Sequence, residues 1–238
     1  MSLDQLLYEA TAHYRSRGFP ESALVHLRST LVANVKDDEI QLDTAHSRYT
    51  KGVEELVGRF LPCSQATASE DLSSADAVFG FAFGYRMKAW SRDLGPTDEA
   101  EVIANRVPGA NNAVLAEQAG RLHLEYKLDL YLQFEIAAAV GRGVEVRYTS
   151  QRKDQGTKPV AKEFLSHAEG KIKTVAIVAH RHHIDRCFLV LEKEGIKGLA
   201  LPDRYSGYDP FEAQPRVMSP EEFIVNDFVS MAWLLTAP

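Results

Sequence analysis

Residues 174–186 read T-V-A-I-V-A-H-R-H-H-I-D-R: a short apolar run of β-forming residues stops abruptly at three histidines and an arginine. An imidazole titrates near neutrality, so it can accept or deliver a proton at physiological pH. If a helix begins near His182 or His183, then His183 and Arg186 lie three apart on one face of its first turn, with His180 at the strand end. A helix start, a guanidinium and an imidazole together suit an anion, most naturally a phosphate or a carboxylate. The chemistry expected here is anion binding, with His183 as the acid or base. The plainer alternative is that one or two of the three histidines cap a helix or pack in the core.

A zinc site is the competing reading. His180, His182 and Asp185 approach the H-x-H-x-D-H pattern of a metal-dependent hydrolase, but the aspartate comes one position late and Arg186 stands where the last histidine belongs. A guanidinium beside a dication is electrostatically unfavourable, so no metal is expected and a zinc-dependent hydrolase is the disfavoured alternative.

Further polar groups follow other apolar runs. Gly84, Tyr85 and Arg86 end the run at 77–83. Its G-F-A-F-G is not a dinucleotide fingerprint, because Phe81 and Phe83 obstruct a backbone approach to pyrophosphate, so a nicotinamide cofactor is not expected. Asn111 and Asn112 open an amphipathic helix, where Asn111 can serve as N-cap or as a ligand contact. Gln133 and Glu135 mark a strand-to-helix junction; Glu135 is the acidic candidate for catalysis, or simply a first-turn glutamate favoured by the helix dipole. Thr149, Ser150 and Arg152 begin a polar loop that reaches Thr157 near the next helix start, and Leu201–Pro210 reads as a lid or a long crossover. Walker A, G-x-S-x-G, H-E-x-x-H and C-x-x-C motifs do not occur.

The elements that must position these groups follow from periodicity. Apolar runs at 77–83, 128–134, 144–149, 174–179 and 197–201 alternate with helical patterns at 111–126, 159–168 and 184–194, the last closed by Gly195. Ser219 and Pro220 start a final helix. This alternation predicts an α/β fold: a Rossmann-like parallel sheet of about five strands with helices on both faces, every strand's carboxyl end on one edge. Residues 1–63 read as a helical N-terminal region, with Thr44 as N-cap of a helix carrying Tyr49, Val53, Leu56, Val57 and Phe60. Residues 64–75 read as a linker and 76–238 as the α/β domain.

The chain has 238 residues, 25% charged and 45% hydrophobic, and a net charge of -6, which argues against a general nucleic-acid partner. Cys63 and Cys187 are far apart and no structural disulfide is expected, so a cytoplasmic, reduced protein is the simpler reading. Asp4 and Glu9 interrupt the N-terminal apolar pattern, against a signal peptide, and no apolar run approaches a membrane span.

The strand followed by A-H-R-H-H-I-D-R-C and a helix closing at Glu194-Gly195 resembles the YdcF/SanA/ElyC family of α/β proteins. His183 and Arg186 match that family's histidine and arginine by spacing, Gly156-Thr157 its threonine-bearing segment, and residues 76–84 stand at its first strand. There Gly-Phe-Ala-Phe-Gly departs from the usual adjacent glycines. The resemblance covers about residues 75–235 and implies a Rossmann-like sheet with a pocket at the strand ends; one member is associated with S-adenosylmethionine. The leading expectation is therefore a protein that binds a nucleotide-type or other anionic small molecule, with His183 and Glu135 as catalytic candidates. Gly84, Tyr85, Arg86, Asn111, Asn112, Gln133, Thr149, Arg152, Thr157, His180 and Arg186 are the binding candidates. A non-catalytic sensor or adaptor with the same pocket is the alternative.

Overall fold

The computed structural model describes residues 3–36, 39–44, 47–52, 71–87, 105–150, 156–168, 170–201 and 207–236. The chain divides into two compact units, residues 66–215 and residues 1–65 with 216–238.

The larger unit is built on a five-stranded, all-parallel sheet. Its strands are β4 (Ala77–Gly80), β7 (Asp129–Gln133), β8 (Tyr148–Ser150), β9 (Thr174–Val178) and β10 (Lys197–Ala200), in the order β10-β9-β4-β7-β8. The chain starts in the middle, builds outward through β7 and β8, then crosses back to β9 and β10. This is the Rossmann-like winding expected from the sequence, and the order reverses between β4 and β9. All four residues of β4 are buried, as a strand covered on both faces must be. The Asp76 carboxylate accepts the Lys173 and Thr174 N–H groups (2.8 and 2.9 Å), which pins the start of β4 to β9.

Helices cover the sheet on both faces. Between β4 and β7 runs α3 (Ala110–Tyr126), and α4 (Phe134–Ala137) follows β7 directly. A Cβ at Gly80 would meet Leu132 at 2.5 Å and Ile136 of α4 at 3.3 Å, so glycine is what lets α4 pack this close to β4. On the other face α5 (Thr157–His167) sets Phe164 against Phe79 and Tyr131, and α6 (Ile184–Lys193) packs beside it. A short antiparallel ribbon, β5 (Arg86–Met87) with β6 (Arg106–Val107), lies beyond the end of β4.

The smaller unit joins the two ends of the chain. Helices α1 (Leu3–Ser16) and α2 (Glu21–Ala33) bury Leu6, Leu7, Ala10, Tyr14, Leu24, Leu27 and Leu31. Helix α7 (Pro220–Thr236) packs on α2, and Arg17 forms a buried 2.8 Å ion pair with Asp227 of α7. The expectation that the last helix belongs to the α/β domain is corrected by this packing. The expectation of an all-helical N-terminal region is corrected as well. β1 (Val35–Lys36), β2 (Glu39–Thr44) and β3 (Ser47–Gly52) form an antiparallel meander, with Leu42 opposite Tyr49, where a helix from Thr44 was expected. Val53, Leu56, Val57 and Phe60 lie outside the described residues. Among the described residues no helix is long and apolar enough to cross a membrane.

Candidate functional site at the carboxyl edge of the sheet

The crevice where the strand order reverses is the place a parallel sheet offers to a ligand. Its first wall is the exit of β4. There the backbone N–H groups that could face a phosphate are already taken: Phe81 donates to the Val178 carbonyl (2.9 Å), Ala82 to Gln133 Oε1 (2.7 Å) and Phe83 to Asn112 Oδ1 (2.9 Å). Asn112 also returns a hydrogen bond from Nδ2 to the Gly84 carbonyl (2.8 Å), so its amide stands in for a neighbouring strand. Gly84 has φ +75°, a left-handed turn that glycine makes without steric penalty.

The second wall is the loop after β9. The His180 ring stacks on Phe83, with centroids 3.8 Å apart and planes 12° from parallel. Its Nε2 lies 2.8 Å from the Gly207 carbonyl and its Nδ1 accepts the His182 N–H (3.2 Å). A carbonyl needs a donor and an N–H needs an acceptor, so this imidazole is neutral with its proton on Nε2. The Tyr208 ring stands edge-on to His180 and Phe83, and its hydroxyl is 2.8 Å from His182 Nδ1. The chain's own aromatic side chains thus fill the middle of the crevice.

Polar groups gather on either side of this plug. On the α5/α6 side, His183 is the N-cap of α6 and its Nε2 lies 2.9 Å from Oγ1 of Thr157, the first residue of α5. Two helix starts therefore meet at one hydrogen bond. At neither start does the N-cap residue supply a side-chain capping hydrogen bond, and Arg186 stands on the first turn of α6. Strand β8 helps to place α5, because the Tyr148 hydroxyl and Ser150 Oγ both donate to the Glu163 carboxylate. Thr149 lies between them in register with Leu132, and Arg152 is outside the described residues.

On the α3/α4 side, Glu135 in the first turn of α4 pairs with Arg106 at 2.7 Å, and burial pushes its carboxyl above the usual range against the pull of Arg106 and of its own N–H. The Arg106 guanidinium lies over the rings of Tyr85 and Phe134, 5.7 and 5.6 Å from their centroids. Arg86 grips Asp209 through Nη2 (2.6 Å) and Nε (2.8 Å), and the same Asp209 oxygen accepts the Ala110 N–H at the start of α3 (3.3 Å). Asn111 is fully buried in the first turn of α3.

The candidate residues therefore divide into two groups: Thr157, His183 and Arg186 with the α5/α6 starts, and Arg86, Asn111 and Glu135 with α3 and α4. Gly84, Asn112, Gln133 and His180 build the wall between. Arg106, Asp209 and Glu212 belong to the second group and escaped sequence reasoning. The one local signal was D-P-F-E at 209–212, a spacing that closes a turn in which Glu212 N–H donates to the Asp209 carbonyl (3.2 Å). Among the described residues no group of three or more His, Cys, Asp or Glu side chains is arranged to hold a metal ion. Comparison of the chain with protein-family models, with curated proteins and with solved structures finds no match.

Proposed function

We propose that the protein binds an anionic, nucleotide-type small molecule at the carboxyl edge of the sheet, its negative group received where α5 and α6 begin. The observation that carries this reading is the Thr157–His183 hydrogen bond, which joins two helix starts where the N-cap residue supplies no side-chain cap. Each start presents N–H groups without intrahelical acceptors and a partial positive charge, about half an elementary charge, and here two of them converge. Arg186, on the first turn of α6, supplies a full positive charge and a fork of donors suited to a phosphate or carboxylate. His183 is the acid or base if the ligand reacts, because it touches both the helix start and the Thr157 hydroxyl. Glu135, tied to Arg106, serves in this reading to orient the other end of the ligand. The resemblance to the YdcF-like proteins makes S-adenosylmethionine one ligand to test, and a cytoplasmic location belongs to the same reading.

The test is a thermal-shift and calorimetric screen of inorganic phosphate, adenine nucleotides, sugar phosphates and S-adenosylmethionine. A ligand present at a hundredfold its Kd stabilises the folded state by about 2.7 kcal/mol, a readily measured rise in Tm. Arg186→Ala and Thr157→Val are expected to weaken the response about tenfold or more, since each removes a donor or a charge from the anion. Absence of any stabilising anion, or variants that respond as strongly as the native protein, would overturn the assignment. Binding without turnover would make the protein a sensor rather than an enzyme.

A further inference from the structure

Glu212 carries its carboxyl group in the interior. It is 0% exposed, and neither of its oxygens has a hydrogen-bond partner among the described residues. Nine in ten or more buried polar groups are paired, so an unpaired carboxyl calls for a reason. Its position is tied to Gly109, the residue before α3. A Cβ there would lie 2.1 Å from Glu212 Oε1 and 2.8 Å from Cδ, so the carboxyl group fills the space that any other side chain at 109 would need. Two residues further on, Asn111 is also fully buried, and neither its Oδ1 nor its Nδ2 has a partner among the described residues. One helix turn and the segment against it thus hold an unused carboxyl and an unused amide.

The surroundings set the charge of what would fit. Among the described residues, the titratable groups that act on Glu212 are Asp209, Glu135 and Arg86, and Arg106 is paired to Glu135. Three carboxyl groups stand with two guanidinium groups, so with Glu212 ionised the cluster carries one negative charge in excess. An ammonium group neutralises that excess, and it carries three donors for the three acceptors that lack a partner among the described residues: two oxygens of Glu212 and Oδ1 of Asn111. Asn111 Nδ2 then remains to donate to an oxygen near the amine.

We infer that Glu212 and Asn111, at the start of α3, form a binding site for a small primary amine that carries a neighbouring hydroxyl or carbonyl oxygen. This site uses none of Thr157, His183 or Arg186, so it stands or falls separately from the anion site. Binding there is coupled to a proton. Burial, reinforced by Asp209 and Glu135 and opposed by Arg86, pushes the empty Glu212 carboxyl up to about 8, so at neutral pH it is protonated. An ammonium ion takes the place of that proton.

The experiment is calorimetric titration of the whole protein with ethanolamine, in two buffers of different ionisation enthalpy, over a pH range from about 6 to 9. The expected result is saturable binding that releases about one proton below pH 8, with affinity rising as pH rises and levelling beyond it. Ethylene glycol, which keeps the oxygen and lacks the amine, and tetramethylammonium, which keeps the charge and lacks the donors, should not bind. Glu212→Gln should fold, abolish proton release and lower affinity about tenfold or more, and Gly109→Ala should block the site by displacing the carboxyl. Ethanolamine binding no better than either control, binding unaltered by Glu212→Gln, or affinity that falls as pH rises would each overturn the assignment; the last would mean that the carboxyl keeps its proton when the ligand is bound. Should Glu212→Gln fail to fold, the proton count and the controls on the native protein still decide. Phosphate binding is unaffected in either case.

Discussion

Arg106 and Glu135 form an ion pair from which water is almost excluded, their side chains 2% and 1% exposed. Removing one partner from such a pair leaves a bare charge in a low-dielectric interior, whereas replacing both by apolar groups of similar size is close to neutral. Arg106→Ala and Glu135→Ala should each therefore destabilise the protein by about 3–5 kcal/mol, and Arg106→Met combined with Glu135→Leu by much less. Denaturant unfolding of the three variants measures this, and additive losses in the double variant would show that the pair does not act as a unit. The position of Glu135 at a strand-to-helix junction is legible in the sequence, and so are Thr157, His183 and Arg186 as occupants of helix starts, because those positions depend on local periodicity. The partner of Glu135 is not legible. Arg106 reaches it through tertiary contact from the β5/β6 ribbon, and no local spacing encodes that meeting. Glu212 escapes notice for the same reason, since burial and not sequence context makes its carboxyl unusual.

At the scale of elements, the exit of β4 shows how side chains finish a strand. The apolar run continues through Phe81 and Phe83, so periodicity extends the strand to 83, but the parallel ladder ends at Gly80 and amide side chains from α3 and β7 take over the hydrogen bonds. Asn112 is the pivotal residue: replacing it with alanine leaves the Phe83 N–H and the Gly84 carbonyl without the partners they have now. A loss of about 2 kcal/mol is expected, together with faster hydrogen exchange at Phe83 and unaltered exchange in β9. An Asn112→Ala protein that kept native stability and Phe83 protection would contradict this role. The βα alternation was readable because parallel strands buried on both faces give short, continuous apolar runs. The N-terminal meander was not, because Leu42, Tyr49 and their neighbours fit a helical spacing as well as an alternating one, and only pairing across the β2–β3 turn decides between them. The C-terminal helix reads correctly as a helix, while its packing partner in α2, near the other end of the chain, has no signature in its own residues.

The chain divides into two compact units, and the smaller one is closed by residues from both ends of the sequence given. Asp227→Ala would leave the Arg17 guanidinium buried without its carboxylate, at a cost of about 3–5 kcal/mol felt in α1, α2 and α7. Hydrogen exchange should report the loss there while β4, β7 and β9 keep their protection; uniform loss across both units would mean that they unfold as one. The larger unit has its own lever in pH. Glu212 holds its proton in the folded state up to about 8, against 4.5 for an ordinary glutamate in the unfolded chain. Between those values the folded protein binds a proton that the unfolded chain has released, so stability falls as pH rises through this window and the contribution is gone above it. Glu135, also raised by burial, acts in the same direction. In Glu212→Gln the neutral amide has no proton to lose, so the variant should match or exceed the native protein near pH 8 and show a flatter profile from about 5 to 8, the two profiles diverging by a few kcal/mol. Parallel profiles in denaturant unfolding would mean that the Glu212 carboxyl is solvated and ionised as in water. The free acceptors at the start of α3 would then be an ordinary wet surface, and the amine site would go with them.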